Sequence, residues 1–244
     1  MKKIVFFILL AVTVSLITGS RISAGLGGND ADYYMRVGGE KFSAGEYAGA
    51  LAAYNMVIKL EPKNAVAYGN RAFVKYTLKD YKGAIAEYDT GLKYEPDAVK
   101  LVADRGMVKM EMKDYKGALA DFDRAIKTDP ENESAYNNRG NLKAITGDQK
   151  GSLEDFTKLI ELKPDFAPAY DNRAITYYEM KDYKAAIADC DKAISLDPEF
   201  AEAYYYRGMA EKETGKKSES IKDLEKAKKL GYEEPKDQFE TLAK

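Results

Sequence analysis

The feature that most constrains this chain is a proline that recurs at a fixed interval. Five prolines are each separated by 34 residues, without an insertion or a deletion: Pro62, Pro96, Pro130, Pro164 and Pro198. A charged motif keeps the same period, reading KDYKGAIAEYD at 79–89, KDYKGALADFD at 113–123 and KDYKAAIADCD at 181–191. Self-similarity at a constant period of roughly 20–50 residues indicates an array of stacked structural repeats.

Placing each proline at repeat position 32 divides the chain into six repeats: 31–64, 65–98, 99–132, 133–166, 167–200 and 201–234. Repeat position 8 is then always small, as Gly38, Ala72, Gly106, Gly140, Ala174 and Gly208. Repeat position 20 is also small, as Ala50, Ala84, Ala118, Ser152, Ala186 and Ser220. Repeat position 24 is Tyr54, Tyr88, Phe122, Phe156, Cys190 and Leu224, and repeat position 4 is tyrosine except at Val102.

This pattern resembles the tetratricopeptide repeat family over residues 31–234, although the family's tryptophan at repeat position 4 is absent. The resemblance implies an all-α fold, an α-solenoid of six helix-turn-helix repeats wound as a right-handed superhelix. It also implies a non-catalytic protein that binds other proteins or peptides.

Elementary packing arguments favour the same fold. Small residues at repeat positions 8 and 20 allow the two helices of a hairpin to approach closely, beside the large residue at position 24. Proline ends the second helix because it cannot continue the backbone hydrogen bonding. Aspartates between the helices are expected to cap the second helix, at Asp80, Asp114, Asp148 and Asp182, with Glu46 in the first repeat. Stacked neighbours would supply the core, and residues 235–244 are predicted to cover its end.

The N-terminus has the composition of a secretory signal peptide. Two lysines precede the uncharged run Ile4–Ile17, and small and polar residues follow it. We predict a signal peptide at residues 1–24, cut after Ala24 or alternatively near Ser20, and a short linker at 25–30. The run is shorter than the ~20 residues that span a bilayer, so the expected location is periplasmic or secreted, with an uncleaved N-terminal membrane anchor as the alternative.

Composition excludes several classes of site. Removing residues 1–24 takes away Lys2, Lys3 and Arg21 and no acid, so 38 basic against 40 acidic residues become 35 against 40, a net charge of −5. A mildly acidic chain is not suited to nucleic acid or to an anionic membrane surface. The chain has no histidine and only one cysteine, Cys190, which rules out histidine triads and zinc sites. We predict no enzymatic activity and no cofactor, and a buried, unreactive Cys190.

Two charged rows recur together. Repeat position 7 is arginine in every repeat after the first, and repeat position 23 is an acid in the same five repeats: Arg71 with Glu87, Arg105 with Asp121, Arg139 with Asp155, Arg173 with Asp189, and Arg207 with Asp223. We interpret them as ion pairs that join the two helices of each hairpin. The alternative is an arginine row that binds phosphate or carboxylate ligands. Asp89, just beyond Glu87, is expected to be a solvated charge.

In the resembled family the first helix of each repeat lines a concave groove. The corresponding candidate binding residues are Phe73, Tyr76, Met107, Met110, Asn137, Asn141, Ile175 and Tyr178. The predicted function is a scaffold of the cell envelope that binds a peptide or partner protein in this groove. Two alternatives stay open: these side chains pack against neighbouring repeats, or the tyrosine-rich groove binds a small molecule or glycan. Oligomeric state is not predicted.

One family-specific ligand can be excluded from the residues. Chaperone-binding members hold a C-terminal carboxylate with asparagines and cations on three successive first helices. The closest window here contains Asn137, Asn141 and Asn172. It ends in Glu202 and Tyr206, where the cations are required. We therefore predict that the chain has no carboxylate clamp.

Overall fold

A computed structural model describes residues 30–232, which form twelve α-helices and contain no β-strand. The helices are α1 (Ala31–Ser43), α2 (Tyr47–Leu60), α3 (Ala65–Thr77), α4 (Tyr81–Tyr94), α5 (Val99–Glu111), α6 (Tyr115–Thr128), α7 (Glu133–Thr146), α8 (Gln149–Leu162), α9 (Ala167–Glu179), α10 (Tyr183–Leu196), α11 (Ala201–Glu213) and α12 (Lys217–Lys229). The predicted signal peptide, the linker except Asp30, and the predicted capping segment 235–244 lie outside the described residues. Within 30–232, no helix is both long and apolar enough to cross a bilayer.

The twelve helices form six antiparallel hairpins with the predicted period. The odd-numbered helices begin at Ala31, Ala65, Val99, Glu133, Ala167 and Ala201, each 34 residues after the last. Each of them packs against the helix that follows it. The all-α repeat fold is therefore confirmed. The hairpins fall into two compact units of three, one containing α1–α6 and the other α7–α12.

Close helix approach within a hairpin depends on the small residue at repeat position 8. A Cβ atom added to Gly140 would lie 2.9 Å from the Phe156 ring, and one added to Gly106 would lie 2.8 Å from Phe122. Both phenylalanines are fully buried. Between hairpins, a second layer of core forms where Ala167, Tyr170, Ala193 and Ala203 pack together. A single hairpin would leave these faces exposed, so the repeats stabilise one another.

The predicted caps are present on four of the second helices. An aspartate carboxylate accepts a hydrogen bond from a backbone N–H of the first turn in each: Asp80 from Gly83, Asp114 from Gly117, Asp148 from Gly151 and Asp182 from Ala185, at 3.0–3.2 Å. Glu46 was also expected to cap and does not. Its carboxylate bonds Lys41 of the preceding helix instead, because the longer side chain reaches past its own backbone.

The tyrosines at repeat position 4 hold the loop between repeats. Tyr68, Tyr170 and Tyr204 donate their hydroxyl hydrogens to the carbonyls of Pro62, Pro164 and Pro198, over 3.3, 3.1 and 3.3 Å. A tryptophan N–H would have a different reach and direction. This contact gives a physical reason for tyrosine where the family usually has tryptophan.

The turn inside each hairpin passes through a left-handed backbone conformation at repeat position 15. Glycine occupies it at Gly45, Gly147 and Gly215, with φ of 75°, 92° and 82°. Lysine occupies it at Lys79, Lys113 and Lys181, with φ of 63–64°. A side chain with a Cβ is disfavoured here by about 1 kcal/mol, whereas glycine is not.

Lys113→Gly is therefore expected to stabilise the protein by about 0.5 kcal/mol, the relief of strain being partly offset by glycine's greater freedom in the unfolded chain. Gly147→Lys, the reverse change in the next repeat, is expected to destabilise it by about 1 kcal/mol. Urea unfolding followed by circular dichroism measures both. A destabilised Lys113→Gly protein would contradict the argument.

Candidate partner-binding surface

The paired charged rows join the two helices of every hairpin after the first, as predicted. Arg105, Arg139, Arg173 and Arg207 each direct Nε and Nη2 to the two oxygens of their aspartate, at 2.5–2.9 Å. Arg71 differs, because it donates through Nη2 alone to Glu87. The five acids are buried. The ion-pair interpretation is confirmed.

The arginines also contact the preceding repeat, which the sequence analysis missed. Nη1 donates to the residue sixteen positions earlier, at repeat position 25: Arg71 to Asn55, Arg105 to Asp89, Arg173 to Thr157 and Arg207 to Asp191, at 2.6–3.0 Å. The expectation that Asp89 is merely solvated was therefore wrong. The signal was available, since repeat position 25 is polar throughout these repeats.

A second cation approaches the buried acid in three repeats. Lys75, Lys109 and Lys143, all at repeat position 11, contact Glu87, Asp121 and Asp155 at 2.5, 2.7 and 2.9 Å. Each of these acids thus has two cationic neighbours, and each arginine has an anionic one. A guanidinium already bonded to a carboxylate offers little to an external anion. The arginine row is structural, and the anion-binding alternative is not supported.

In the unit α1–α6, the predicted binding residues belong to a line of aromatic rings. Phe73 lies 5.3 Å from Phe42 and 6.0 Å from Tyr76, and Tyr76 lies 5.8 Å from Tyr81, measured between ring centroids. Phe73 and Tyr76 are half-buried. Burial, Glu111 and Tyr81 raise the pKa of Tyr76 to about 12, so its hydroxyl stays protonated. Met107 and Met110 on α5 are buried, with 6% and 5% exposure.

The unit α7–α12 has a second aromatic line. Tyr178 lies 5.5 Å from Tyr183 and 6.2 Å from Tyr206, and it is half-buried. Burial raises its pKa to about 12, with Glu213, Tyr183 and Glu179 contributing. Ile175, one turn earlier, is buried. Tyr178 and Tyr76 occupy the same repeat position, so the two units present equivalent half-buried tyrosines.

The predicted asparagines line a small polar recess between α7, α9 and α11. Its lining residues are Asn137, Asn141, Phe166, Pro168, Asp171, Asn172, Phe200 and Glu202, and its volume is about 10 Å³. Asn137 is half-buried and accepts a hydrogen bond from Nδ2 of Asn172 at 3.2 Å. Asn141 is buried, and its Oδ1 has no hydrogen-bond partner.

Two acids in this recess were not among the predicted site residues. Asp171 is 2% exposed, and its Oδ1 has no hydrogen-bond partner. Burial, together with the nearby carboxylate of Glu202, raises the pKa of Asp171 well above its usual value. Burial also raises the pKa of Glu202 to about 7. Sequence reasoning considered Glu202 only as a position where a carboxylate clamp requires a cation, and it did not consider Asp171.

The sequence analysis also predicted the environment of the single cysteine. Cys190 is fully buried, and burial raises the pKa of its thiol well above the usual value, which removes its nucleophilic thiolate form. This confirms the prediction that the cysteine is buried. Across residues 30–232, no three His, Cys, Asp or Glu side chains converge on a point where they could hold a metal ion.

Family models for the tetratricopeptide repeat match nearly the whole described region. They cover residues 41–104, 106–144, 133–166, 167–200 and 201–230. The chain belongs to the tetratricopeptide repeat family. The match to residues 133–166 and 167–200 uses the repeat boundaries predicted from the prolines. No curated protein matches the chain in sequence.

Many solved structures share the fold of this tetratricopeptide repeat protein. The crystal structure of MamA is 25% identical with a TM-score of 0.62, over 69% of this chain and 92% of that one. PilF of Pseudomonas aeruginosa is 19% identical with a TM-score of 0.74, over 82% and 91% of the two chains. YrrB, described as having an unusual peptide-binding site, is 21% identical with a TM-score of 0.61, over 73% and 92%. At such identities the last two show the fold alone.

Proposed function

We propose that this tetratricopeptide repeat protein is a non-catalytic scaffold of the cell envelope that binds a peptide or partner protein on its first helices. The observation that carries the proposal is the half-buried aromatic surface on α3 and on α9. Phe73, Tyr76 and Tyr178 each leave part of a ring uncovered while neighbouring rings support it. Rigid aromatic side chains of this kind are enriched where proteins bind partners.

The eight predicted residues divide into two groups by burial. Phe73 and Tyr76 of the unit α1–α6, and Asn137 and Tyr178 of the unit α7–α12, are half-buried and form the proposed contact surface of each unit. Met107, Met110, Asn141 and Ile175 are buried. For Met107, Met110 and Ile175, packing inside the protein accounts for the burial, so we assign them to the support beneath the contact surface. Asn141 instead lines the recess between α7, α9 and α11.

Two further considerations support the proposal. The fold neighbour YrrB has a peptide-binding site, which shows that a related architecture can hold a peptide. The envelope location rests on the signal-peptide pattern of residues 1–24. The alternative, in which the tyrosine-rich groove binds a small molecule or glycan, stays a prediction.

Cross-linking from the contact surface tests the proposal. A photoreactive amino acid at position 73 or 178 is expected to capture a defined envelope protein, and the same group at position 221 is not. Ile221 is a matched control because it is an exposed apolar residue on a second helix, α12.

The captured protein is expected to bind Phe73→Glu or Tyr178→Glu at least about tenfold more weakly than the wild type, since a carboxylate would enter an apolar contact. Ile221→Glu should bind normally. Unchanged affinity of both variants, with helical content intact, would overturn the assignment of the surface.

A further inference from the structure

We propose that the recess between α7, α9 and α11 binds the ammonium group of a lysine side chain on the partner. This inference rests on the proposed function, and it specifies the chemistry that the partner must present. Three kinds of observation carry it: unpaired acceptors, uncompensated charge, and the size and rim of the recess.

The first observation is two buried oxygens without donors. Oδ1 of Asp171 and Oδ1 of Asn141 both line the recess, and neither has a hydrogen-bond partner within the described part of the chain. Nearly all buried polar atoms in native proteins are hydrogen-bonded, and leaving one unpaired costs about 1–3 kcal/mol. A ligand that donates hydrogen bonds would satisfy both atoms.

The second observation is that the ionisable groups lining the recess are both acids. Asp171 and Glu202 contribute two carboxyl groups, and neither forms a salt bridge within residues 30–232. The amide donor of Asn172 is directed to Asn137, so it does not serve the acids. The recess therefore lacks a cation and offers acceptors, which is the reverse of a carboxylate-binding site.

The third observation concerns size. A volume of about 10 Å³ accommodates one group of the size of a water molecule. An ammonium group has this size and carries three hydrogen-bond donors, whereas the planar guanidinium of arginine is wider. The recess thus favours lysine over arginine.

The rim of the recess suits a lysine stem. Phe166 and Phe200 line it and are half-buried, which provides apolar surface for methylene groups. The Lys163 ammonium already lies over the Phe166 ring, 5.3 Å from its centroid. This contact shows that the Phe166 ring accepts a neighbouring cation. The Lys163 ammonium donates its hydrogen bond to Glu133 at 3.1 Å, so it does not supply the cation that the recess lacks.

Several ionisable groups face Asp171. Glu202 and Tyr206 approach from α11, and Cys190 approaches from α10, while α7 contributes only the amides of Asn137 and Asn141. Carboxylates attract an ammonium only when they are ionised. Affinity for a lysine ligand is therefore expected to rise as pH increases from 6 to 8 and Glu202 loses its proton.

Peptide selection on the full chain tests the inference. A displayed library of random twelve-residue peptides would be selected on the wild-type protein and, in parallel, on Asp171→Asn/Glu202→Gln. Peptides that only the wild type enriches are expected to contain lysine. Replacing that lysine with norleucine or arginine should weaken binding to the wild type by at least about tenfold, and it should not weaken further the already weak binding to the double variant. Glu199→Gln, an exposed acid near the recess, is the matched control.

Butylammonium chloride should displace the selected peptide, and potassium chloride at equal ionic strength should not. Equal displacement by both salts would overturn the inference in favour of an inorganic cation. Selected peptides without a lysine dependence would overturn it in favour of a buried water only, while leaving the proposed function standing. If no peptide is enriched but a partner is still cross-linked, this inference is overturned alone. If no peptide is enriched and no partner is cross-linked, the proposed function is overturned with it.

Discussion

Replacing Asp155 with alanine is expected to lower the free energy of unfolding by about 3–5 kcal/mol. The Asp155 side chain is 3% exposed and contacts Arg139 through both oxygens and Lys143 at 2.9 Å. Removing the carboxylate takes away the buried anion that both the Arg139 guanidinium and the Lys143 ammonium contact. Urea unfolding at pH 7 measures the loss.

The adjacent residue provides the control for this experiment. Glu154 precedes Asp155 on the same helix and is exposed, so Glu154→Ala is expected to change stability by no more than about 0.5 kcal/mol. A double-mutant cycle of Asp155→Ala with Arg139→Met isolates the pair, and we expect a coupling energy of about 2 kcal/mol. A coupling near zero would show that the pair is a consequence of the fold and contributes nothing to its stability.

Stability is expected to fall as pH rises from 5 to 8, and Glu202→Gln is expected to remove about 1–3 kcal/mol of that fall. Burial raises the pKa of Glu202 from 4.5 to about 7 in the folded protein. Between these values the folded state binds more protons than the unfolded state. The protonated carboxyl therefore favours folding at low pH, and this contribution is lost as pH rises through 7. Asp171 shifts in the same direction.

Thermal unfolding of both proteins at pH 5 and pH 8 measures this effect. Glu202→Gln should resemble the wild type at pH 5 and should be more stable at pH 8. Glu199→Gln, which changes an exposed acid in the preceding loop, should follow the wild-type profile. Parallel profiles for the wild type and Glu202→Gln would mean that burial does not perturb the Glu202 carboxyl. A saturating lysine ligand should also flatten the profile, because it would stabilise the ionised form.

The loss of stability caused by Asp171 and Glu202 is relevant to the proposed function. Two carboxyl groups without cations depart from the pattern of the five buried acids at repeat position 23, each of which is paired with an arginine. A local violation of an otherwise consistent pattern is expected at functional sites. The recess is such a violation.

Much of the fold was predictable because it depends on contacts within one repeat. The 34-residue proline period located the helix starts, the aspartates located four caps, and the arginine–acid spacing of sixteen residues located the pairs inside each hairpin. Local sequence determines these contacts. Glu46 failed as a cap because side-chain reach, rather than charge, decides which backbone N–H it meets.

The missed features all require knowledge of how neighbouring hairpins pack. Asp89 lies sixteen residues before Arg105, just as Asp121 lies sixteen residues after it, so spacing alone did not distinguish a solvated charge from a bonded one. Asp171 and Glu202 occupy different repeat positions on successive first helices, and their burial depends on the approach of α7, α9 and α11. The burial of Met107 and Met110 likewise could not be derived from helical periodicity, which identifies a shared face without saying what covers it.

The double contacts of the arginines have a consequence for how the array unfolds. Arg105 bonds Asp121 in its own hairpin and Asp89 in the one before, and Arg207 does the same with Asp223 and Asp191. In a linear array, stability is the sum of an intrinsic energy for each module and a nearest-neighbour coupling energy. One side chain here contributes to both quantities. The coupling between adjacent modules therefore depends on the same side chain as the stability of each module. A hairpin that loses its arginine loses its internal ion pair and also its contact with the preceding hairpin.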